Sequence, residues 1–335
     1  MDTIQGLVGK TVLVTGATGL VGSNLVNRLL QAPGCHVIAM GRSLERLKYV
    51  FDGHNNNQQL SLVEHDVSRE LPQSLGTIDF IFNTAGPIGG SVINNNPVEL
   101  ILSNIMGTIN CLEYIKTQRN SGIDRGKVIV FSSVTASVSS EKGIIIEEQA
   151  SYLTDSIDSS VSPYSQTKRM VEVIAKSYWK EYMIPSVVVR LSYVYGFSRL
   201  MPNTAVFSFI QKVASGQDIE LLNEEQVKRD NIFIDDAIEG ILAIGVNGNS
   251  GESYNISSSG DKGNYASMLD FANAIVQVRN KAMSGHPVKV IIKKEPHNIE
   301  GYKYSNAKMR ALGGSINNSL SEGIAKIMKQ YLDSK

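Results

Sequence analysis

The chain has 335 residues, of which 42% are hydrophobic and 19% are charged, the balance of an ordinary globular protein. Its 32 basic and 32 acidic residues give a formal net charge of zero, which argues against a nucleic-acid-binding protein because such proteins carry a basic excess. Two cysteines exclude a disulfide framework and are too few for a structural zinc site. Since no apolar run approaches the ~18 residues of a membrane span and no secretory signal is visible, we expect a cytoplasmic protein without a membrane partner.

Short β-branched runs alternate with longer helical stretches over the first 196 residues. The runs are continuously apolar, as parallel strands are when helices cover both faces of their sheet. This repetition predicts an α/β fold with a doubly wound parallel sheet. The predicted strands are Lys10–Thr15, His36–Met40, Leu60–Val63, Ile78–Asn83, Lys127–Phe131 and Ser186–Arg190. The predicted helices are Leu20–Gln31, Leu44–Phe51, Pro97–Arg119 and Pro163–Tyr182.

After Gly196 the rhythm loosens, and short strands mix with helices. We expect helices at Thr204–Ser215, Asp235–Val246, Tyr265–Lys281 and Ser319–Leu332. Further strands are expected at Asn231–Ile234, Ser253–Ile256 and Val288–Ile292. The sequence therefore predicts a doubly wound domain over residues 1–196. Residues 197–335 should form mainly a smaller α+β lobe, with some segments returning to the first domain.

A glycine-rich segment joins the first predicted strand to the first helix. Gly16 would permit a tight turn, Gly19 would let backbone amides approach a pyrophosphate, and Gly22 would allow the helix and strand to pack closely. The helix N-terminus adds positive potential for the anion. Because a strand precedes the segment and a helix follows it, we predict a dinucleotide site here and interpret residues 1–196 as a Rossmann domain. The predicted site residues in this segment are Gly16, Thr18, Gly19, Leu20, Val21 and Gly22.

The ends of the second and third strands bear on the choice of cofactor. An NAD enzyme usually places Asp or Glu after the second strand, on the ribose hydroxyls, but this chain has Arg42 and Ser43 there. Arg42 can meet a 2′-phosphate and Ser43 can add a hydrogen bond, which favours NADP over NAD. Alternatively, Arg42 stacks on the adenine or lies in solvent. Asp66, followed by Val67, can accept from the adenine amino group or can be an ordinary solvated aspartate.

A candidate catalytic group lies on the helix after Pro163, where Tyr164 and Lys168 are one turn apart on the same face. The fifth strand ends at Ser132 and Ser133, and strand ends border the ligand crevice of a parallel sheet. The Lys168 ammonium and a positive nicotinamide would favour the Tyr164 phenolate, since an unperturbed tyrosine ionises only near pH ~10. Tyr164 would then remove a hydroxyl proton as hydride leaves the carbon, or return it to a carbonyl, while Ser133 holds the same oxygen.

With these motifs, the sequence from about Lys10 to Gly313 resembles the extended short-chain dehydrogenase/reductase family, in its NAD-dependent epimerase/dehydratase group. The segments that carry the resemblance are Thr15–Gly22 (TGATGLVG), Asn83–Gly86 (NTAG), Asn104–Glu113, Gly126–Ser133, Pro163–Lys168, Arg229–Ala237, Gly251–Ile256 and Ser305–Gly313. The resemblance selects Ser133 over Ser132 as the catalytic serine. It implies that Tyr164 and Lys168 also bind the cofactor, Lys168 through the nicotinamide ribose. It adds three residues to the cofactor site: Thr84, Ala85 and Gly86.

The resemblance also implies a substrate class and an assembly. Members mostly oxidise or reduce sugar carbons of nucleotide-diphosphate sugars, and many form homodimers through two long helices, here Pro97–Arg119 and Pro163–Tyr182. The arginine that meets the substrate diphosphate would be Arg229. Asn104 is more often architectural in this group, so it is not included in the catalytic set.

Three departures from the family pattern refine these expectations. Val134 and Thr135 stand where the dehydratase subgroup has an Asp-Glu pair, and Thr135 stands where the decarboxylase subgroup has Glu. Tyr193 replaces the substrate-facing Asn of the usual R-x-x-N-V-Y-G block, which puts the nucleotide-sugar assignment in doubt more than the redox assignment. Residues 134–162 include a Ser/Asp-rich stretch, and we expect a flexible loop or lid there.

These observations favour an NAD(P)-dependent enzyme acting on a nucleotide-sugar, with a C4-type epimerase narrowly preferred. The alternative is an NADPH-dependent ketone or 4-keto-sugar reductase. A dehydratase, a decarboxylase and a non-enzymatic dinucleotide-binding regulator are less favoured, the last because Ser133, Tyr164 and Lys168 are all retained. The five histidines show no metal-ligand spacing, so no metal is expected.

Overall fold

The computed structural model of the chain describes residues 4–54, 57–86, 95–137, 143–148, 156, 158–201, 204–222, 225–282 and 285–334. The strands are β1 (Thr11–Thr15), β2 (His36–Gly41), β3 (Leu60–Glu64), β4 (Phe80–Asn83), β5 (Lys127–Ser133), β6 (Ile144–Ile145), β7 (Ser186–Leu191), β8 (Tyr193–Tyr195), β9 (Ile219–Leu221), β10 (Glu225–Val227), β11 (Arg229–Phe233), β12 (Ser253–Ile256), β13 (Tyr265–Ala266), β14 (Val290–Ile292), β15 (His297–Ile299) and β16 (Lys303–Tyr304). The helices are α1 (Leu20–Leu29), α2 (Leu44–Val50), α3 (Pro97–Asn120), α4 (Ser162–Tyr182), α5 (Ala205–Ala214), α6 (Ile234–Asn247), α7 (Met268–Ala282), α8 (Ala307–Ala311) and α9 (Leu320–Asp333).

Seven strands form one parallel sheet in the order β12-β7-β5-β4-β1-β2-β3. Successive side chains of a strand point to opposite faces, so Val12 and Val14 enter one apolar core and Leu13 enters the other. Helices α1 and α6 contribute to the first core, and α3 and α4 contribute to the second. Apolar cores on both faces explain why these strands read as unbroken hydrophobic runs. The prediction of a doubly wound Rossmann sheet is confirmed.

Several elements differ from their sequence-based bounds. β12, expected in the second lobe, pairs with β7 and forms one edge of the central sheet. The helix expected from Tyr265 begins at Met268 instead, because Tyr265 and Ala266 pair with β11 as β13. Most strands of two or three residues are too short to show a hydrophobic period and escape sequence reading, whereas β14 lies within the predicted strand Val288–Ile292.

The chain after Gly196, together with β8 just before it, builds the smaller sheets β8–β11–β13, β9–β14 and β10–β15. Helices α5, α7 and α9 pack with them in the core that they share with one face of the central sheet. Helix α6 lies against the central sheet, and a Cβ atom on Gly245 would come within 3.1 Å of the Phe82 ring. The boundary between residues 196 and 197 stays a prediction.

Part of the segment expected to be a flexible loop or lid is anchored. Within residues 134–162, β6 pairs in parallel with β16. The Glu147 carboxylate is buried and accepts the Asn255 N–H at 2.9 Å. Residues 143–148 are therefore fastened to both β12 and β16, which corrects the expectation for this stretch. Residues 138–142, 149–155 and 157 lie outside the described part of the chain.

A buried polar network joins α4 to the central sheet. The Ser132 hydroxyl donates to the Lys168 carbonyl at 3.0 Å and to the Glu172 carboxylate at 2.7 Å. Both Glu172 oxygens also accept from Arg190 on β7, at 2.9 and 2.8 Å. Arg190 donates in addition to the Glu147 carbonyl at 3.1 Å. Because Glu172 and Arg190 are both buried, the loss of either side chain would leave the charge of the other uncompensated.

No helix in the described ranges combines the length and apolar character needed to cross a bilayer. No group of three His, Cys, Asp or Glu side chains in those ranges is placed to hold a metal ion. Cys35 and Cys111 are both buried free thiols.

Glu172→Gln is expected to lower the free energy of unfolding by about 3–5 kcal/mol, because Arg190 would remain buried without a carboxylate. Denaturant unfolding of the purified variant measures this loss. Glu239→Gln is the matched control, since its ion pair with Arg28 is partly exposed and should contribute about 1 kcal/mol or less. Equal losses for the two variants would contradict the buried-pair interpretation.

Candidate active site

The carboxyl ends of the central strands bring the predicted site residues to one edge of the sheet. The register places Thr15 beside Met40 on one side and Asn83 on the other. Asn83 lies beside Val130, near the end of β5. The glycine-rich loop is joined to β2 because the Ala17 N–H donates to the Met40 carbonyl at 3.0 Å. Loops that are distant in sequence therefore meet at this edge.

The glycine-rich loop has the geometry that a bound pyrophosphate requires. Gly16 has a φ of +62°, and a Cβ there would lie 2.7 Å from the Ala85 Cα. A Cβ on Gly22 would lie 2.4 Å from the Gly16 carbonyl oxygen and 2.8 Å from the Thr84 hydroxyl. No side chain caps α1 at Gly19, so the amides of its first turn face no competing acceptor of that kind. This arrangement fits the pyrophosphate of a dinucleotide.

The remaining loop residues can reach a ligand mainly through their backbone. Leu20 and Val21 form the first turn of α1, and the Val21 side chain is buried in the core. Thr18 precedes them in the loop. Such a site recognises phosphate through main-chain N–H groups, so side-chain identity matters less here than backbone course.

The structure pairs the Arg42 charge with a carboxylate. The Arg42 guanidinium forms an ion pair with Glu99, in the first turn of α3. Ser43 caps α2, and its Oγ accepts from the Arg46 N–H at 3.3 Å. The sequence predicts that Arg42 can meet a 2′-phosphate, with stacking on the adenine or a position in solvent as the alternatives. The preference for NADP therefore stays a prediction, and the Glu99 ion pair argues against it.

Asp66 and Val67, after β3, differ in what they offer a ligand. Asp66 Oδ1 accepts from the Ser68 N–H at 3.0 Å and from its hydroxyl at 2.8 Å. Partial burial tends to raise the pKa of Asp66, but these bonds and the charges of Arg42 and Arg69 outweigh it and lower the pKa. Asp66 is thus an ionised acceptor at neutral pH. The Val67 side chain is buried against α3, which leaves only its backbone for a ligand.

Ser133 and Tyr164 are brought together from different elements. β5 ends at Ser133, and α4 begins at Ser162 with Pro163 in its first turn. The two side chains share a hydrogen bond. The Thr135 hydroxyl donates to Ser133 Oγ at 3.0 Å, which fixes the serine side chain. Two hydroxyls that can address one substrate oxygen thus lie side by side.

The Lys168 ammonium is buried between three elements. Its Nζ donates to Asn104 Oδ1 on α3 at 2.7 Å and to the Phe131 carbonyl on β5 at 3.0 Å. It lies 5.8 Å from the centroid of the Tyr164 ring. Asn104 was assigned an architectural role, and the structure makes it a direct acceptor for Lys168. No spacing signals this contact, because the two residues are 64 positions apart.

Burial dominates the ionisation of both residues. It raises the pKa of Tyr164, the nearby Tyr193 phenol raises it further, and the hydrogen bond from Ser133 opposes the rise. The Lys168 ammonium donates hydrogen bonds to Asn104 and to the Phe131 carbonyl. Its expected effect on the Tyr164 phenolate stays a prediction. Burial lowers the pKa of Lys168 to about 8, so most of this group still carries its charge at pH 7.

The two predicted substrate residues also meet. β8 pairs in parallel with β11, and this register sets Tyr193 beside Asn231. The Arg229 guanidinium stacks 5.1 Å from the centroid of the Tyr193 ring. The Tyr193 phenol is also close enough to Tyr164 to raise the pKa of that phenol slightly.

The profile of the NAD dependent epimerase/dehydratase family matches residues 12–257. The match covers more than half of the chain and includes the glycine-rich loop, strand β5 with Ser133 and helix α4 with Tyr164. The protein therefore belongs to this family of enzymes that act with NAD, and the resemblance seen in the sequence is confirmed.

Curated relatives share this family but not one activity. The chain is 25% identical over 331 residues to a trifunctional UDP-glucose 4,6-dehydratase/UDP-4-keto-6-deoxy-D-glucose 3,5-epimerase/UDP-4-keto-L-rhamnose-reductase of Arabidopsis thaliana. The match takes in 96% of this chain but 47% of that protein, so the chain spans about half of the relative's length. It is also 24% identical to a probable UDP-glucuronate 4-epimerase of Rhizobium meliloti, covering 69% of this chain and 67% of the relative.

Solved structures show the same fold. An epimerase of Methanothermobacter thermautotrophicus superposes with a TM-score of 0.80 at 21% identity, covering 99% of this chain and 95% of that one. The Bordetella bronchiseptica enzyme WbmF in complex with NADH gives 0.76 at 24% identity, with coverages of 98% and 93%. UDP-glucose 4-epimerase of Thermotoga maritima with UDP-glucose gives 0.76 at 20% identity, with coverages of 97% and 99%.

Asn104→Ala is expected to lower the pKa of Lys168 further, because it removes an acceptor of the protonated form. The ammonium is lost as pH rises through its folded-state pKa of about 8, so the alkaline fall in the pH–rate profile should move to lower pH. Asn120→Ala, at an exposed position near the end of the same helix, is the control. An unchanged profile for Asn104→Ala would limit Asn104 to a packing role.

Proposed function

We propose that the protein transfers a hydride at a ring carbinol carbon of a nucleotide-diphosphate sugar, as a C4-type epimerase that uses NAD(P). The observation that carries this proposal is the meeting of Ser133, Tyr164 and Lys168 at the end of β5. They lie on the sheet edge that also bears the glycine-rich loop. Tyr164 as the proton acceptor and Ser133 as the hydroxyl that binds the substrate oxygen thus lie on the same edge of the sheet as the proposed cofactor loop.

Each of these side chains has a distinct role in the proposed reaction. The nicotinamide, when bound, supplies the hydride acceptor and donor. Tyr164 accepts the substrate hydroxyl proton as the carbon is oxidised and later returns it to the carbonyl oxygen. Ser133 donates a hydrogen bond to that oxygen. Because burial raises the pKa of Tyr164, ionisation needs positive charge nearby, and Lys168 holds one 5.8 Å from its ring.

Arg229 and Tyr193 support a phosphorylated substrate. Within the described ranges Arg229 forms no ion pair with a carboxylate, so its charge is available to an anion such as a diphosphate. Stacking on Tyr193 restrains the guanidinium beside the catalytic hydroxyls. The Thermotoga maritima relative was solved with UDP-glucose, which agrees with this substrate class.

The residues after Ser133 favour epimerisation or reduction over elimination of water. Val134 is buried against Ile145 and Tyr304, and the Thr135 hydroxyl is directed at Ser133. Neither can act as a carboxylic acid–base pair. Between the two remaining activities, Arg42 is the feature that would favour an NADPH-dependent reductase, and its pairing with Glu99 weakens that alternative. We therefore keep epimerase as the first proposal.

The product test uses purified protein with UDP-sugars and dTDP-sugars. An epimerase should contain co-purifying NAD, seen by mass spectrometry, and should interconvert C4 epimers without net consumption of cofactor. Tyr164→Phe should lower turnover by roughly 10²–10⁴-fold while cofactor binding is retained. Tyr302→Phe, at an exposed phenol, serves as the control.

Two outcomes would contradict the proposal. Stoichiometric oxidation of added NADPH by a keto-sugar would identify a reductase. Unchanged turnover in Tyr164→Phe would remove this phenol from the mechanism.

We further propose a homodimer formed through α3 and α4. These helices pack against each other, yet both expose apolar side chains: Val98, Leu102 and Met106 on α3, and Met170 and Val173 on α4. A shallow groove of about 350 Å³ lies between them, lined by residues such as Ile101, Ile105 and Met170. A second copy of the same pair of helices would cover this apolar surface.

Leu102→Arg is expected to convert the dimer to a monomer, because it places a charge at the centre of the apolar face of α3. Size-exclusion chromatography with light scattering measures the mass. Leu222→Arg changes a leucine in the second lobe that is more exposed than Leu102 and should leave the mass unchanged. A monomeric unmodified protein would contradict the proposed dimer.

A further inference from the structure

Arg42 lies among carboxylates supplied by two other elements. Glu99, on α3, forms an ion pair with its guanidinium. Asp66, after β3, lies close enough for the Arg42 charge to help lower its pKa. The group thus contains one positive and two negative charges at neutral pH, with Arg69 adding a second cation on the Asp66 side.

This group stands where the second strand of the dinucleotide fold ends. Ala17 of the glycine-rich loop bonds to Met40, two residues before Arg42, and the His65 N–H donates to the Gly41 carbonyl at 2.9 Å. The end of β2 is therefore fixed between the phosphate loop and the end of β3. In this fold, that place meets the adenosine ribose, where NAD and NADP differ.

NAD and NADP require different charges around the adenosine ribose. A 2′-phosphate carries about −1.5 to −2 charges at pH 7 and requires unneutralised cations. A free 2′-hydroxyl is neutral and needs only hydrogen-bond acceptors, which a carboxylate supplies. With Arg42 already paired, a 2′-phosphate would meet a group whose two cations, Arg42 and Arg69, are already balanced by the carboxylates of Glu99 and Asp66.

We propose that Glu99 makes the site selective for NAD over NADP. Glu99 lies on α3, whereas the sequence suggests that the loop after β2 decides between NAD and NADP. Glu99 neutralises Arg42 and repels a 2′-phosphate. The inference rests on the proposed dinucleotide site. It also reverses the NADP preference that Arg42 suggests when the sequence is read alone.

The test is displacement of fluorescent NADH from the full-length protein by NAD and by NADP. The unmodified protein should bind NAD more tightly than NADP. Glu99→Gln should tighten NADP binding by about three- to tenfold and change NAD binding by about twofold or less, because exposed charge pairs have modest energies. Arg42 and Glu99 are 61% and 45% exposed, so the gain should shrink as salt is added.

Glu220→Gln is the matched control, because it removes a carboxylate from a comparably exposed ion pair with Lys293 in the second lobe. It should change neither affinity. An unmodified protein that prefers NADP, or a Glu99→Gln variant with no selective gain for NADP, would overturn the inference. A protein that binds no NADH at all would instead overturn the proposed dinucleotide function, so the two failures are distinguishable.

Discussion

The buried ammonium of Lys168 is the constraint on which the candidate active site depends. An ammonium removed from water must donate hydrogen bonds or lose its proton, and here Asn104 Oδ1 and the Phe131 carbonyl accept them. Those acceptors belong to α3 and β5, while Lys168 belongs to α4. Satisfying one charge therefore fixes three elements relative to one another. Tyr164, one turn before Lys168, and Ser133, two residues after Phe131, are positioned by the same packing.

A second layer of buried polar groups holds this arrangement from behind. Ser132, next to Ser133 on β5, bonds to α4 at both Lys168 and Glu172, and Glu172 is paired with Arg190 on β7. Arg190 reaches on to the Glu147 backbone, in the segment that also pairs with β16. One network of hydrogen bonds thus connects β5, α4 and an edge of the smaller lobe. Such a network makes the catalytic geometry a property of the whole fold rather than of one loop.

Arg42, in the proposed cofactor site, and Arg229, in the proposed substrate site, have different charged neighbours. Near the end of β2, Arg42 is paired with Glu99, and Asp66 and Arg69 bring the four charges there to a net of zero. On β11, Arg229 stacks on Tyr193 and keeps an unpaired charge within the described ranges. An uncharged ribose beside Arg42 and an anionic substrate group beside Arg229 would both suit this distribution. The proposed cofactor and substrate classes therefore agree with each other on electrostatic grounds.

The sequence by itself determined the doubly wound sheet, because continuous apolar runs between helices can be buried only in that way. It also identified the family, and it placed the glycine-rich loop, whose effect depends on backbone course and on the absence of Cβ atoms at Gly16 and Gly22. These are local properties, carried by neighbouring residues. Ser133, Tyr164 and Lys168 could be singled out because spacing and motif mark them, although their roles stay predictions.

Only the tertiary structure decided which groups those residues meet. Asn104 beside Lys168 and Glu99 beside Arg42 are contacts between elements far apart in the chain, and no local pattern records them. The return of β12 to the central sheet and the pairing of β6 with β16 are likewise long-range. The physical reason is that burial and charge compensation depend on three-dimensional neighbours. For the same reason, the pairing of Arg42 with Glu99 could not be read from the sequence.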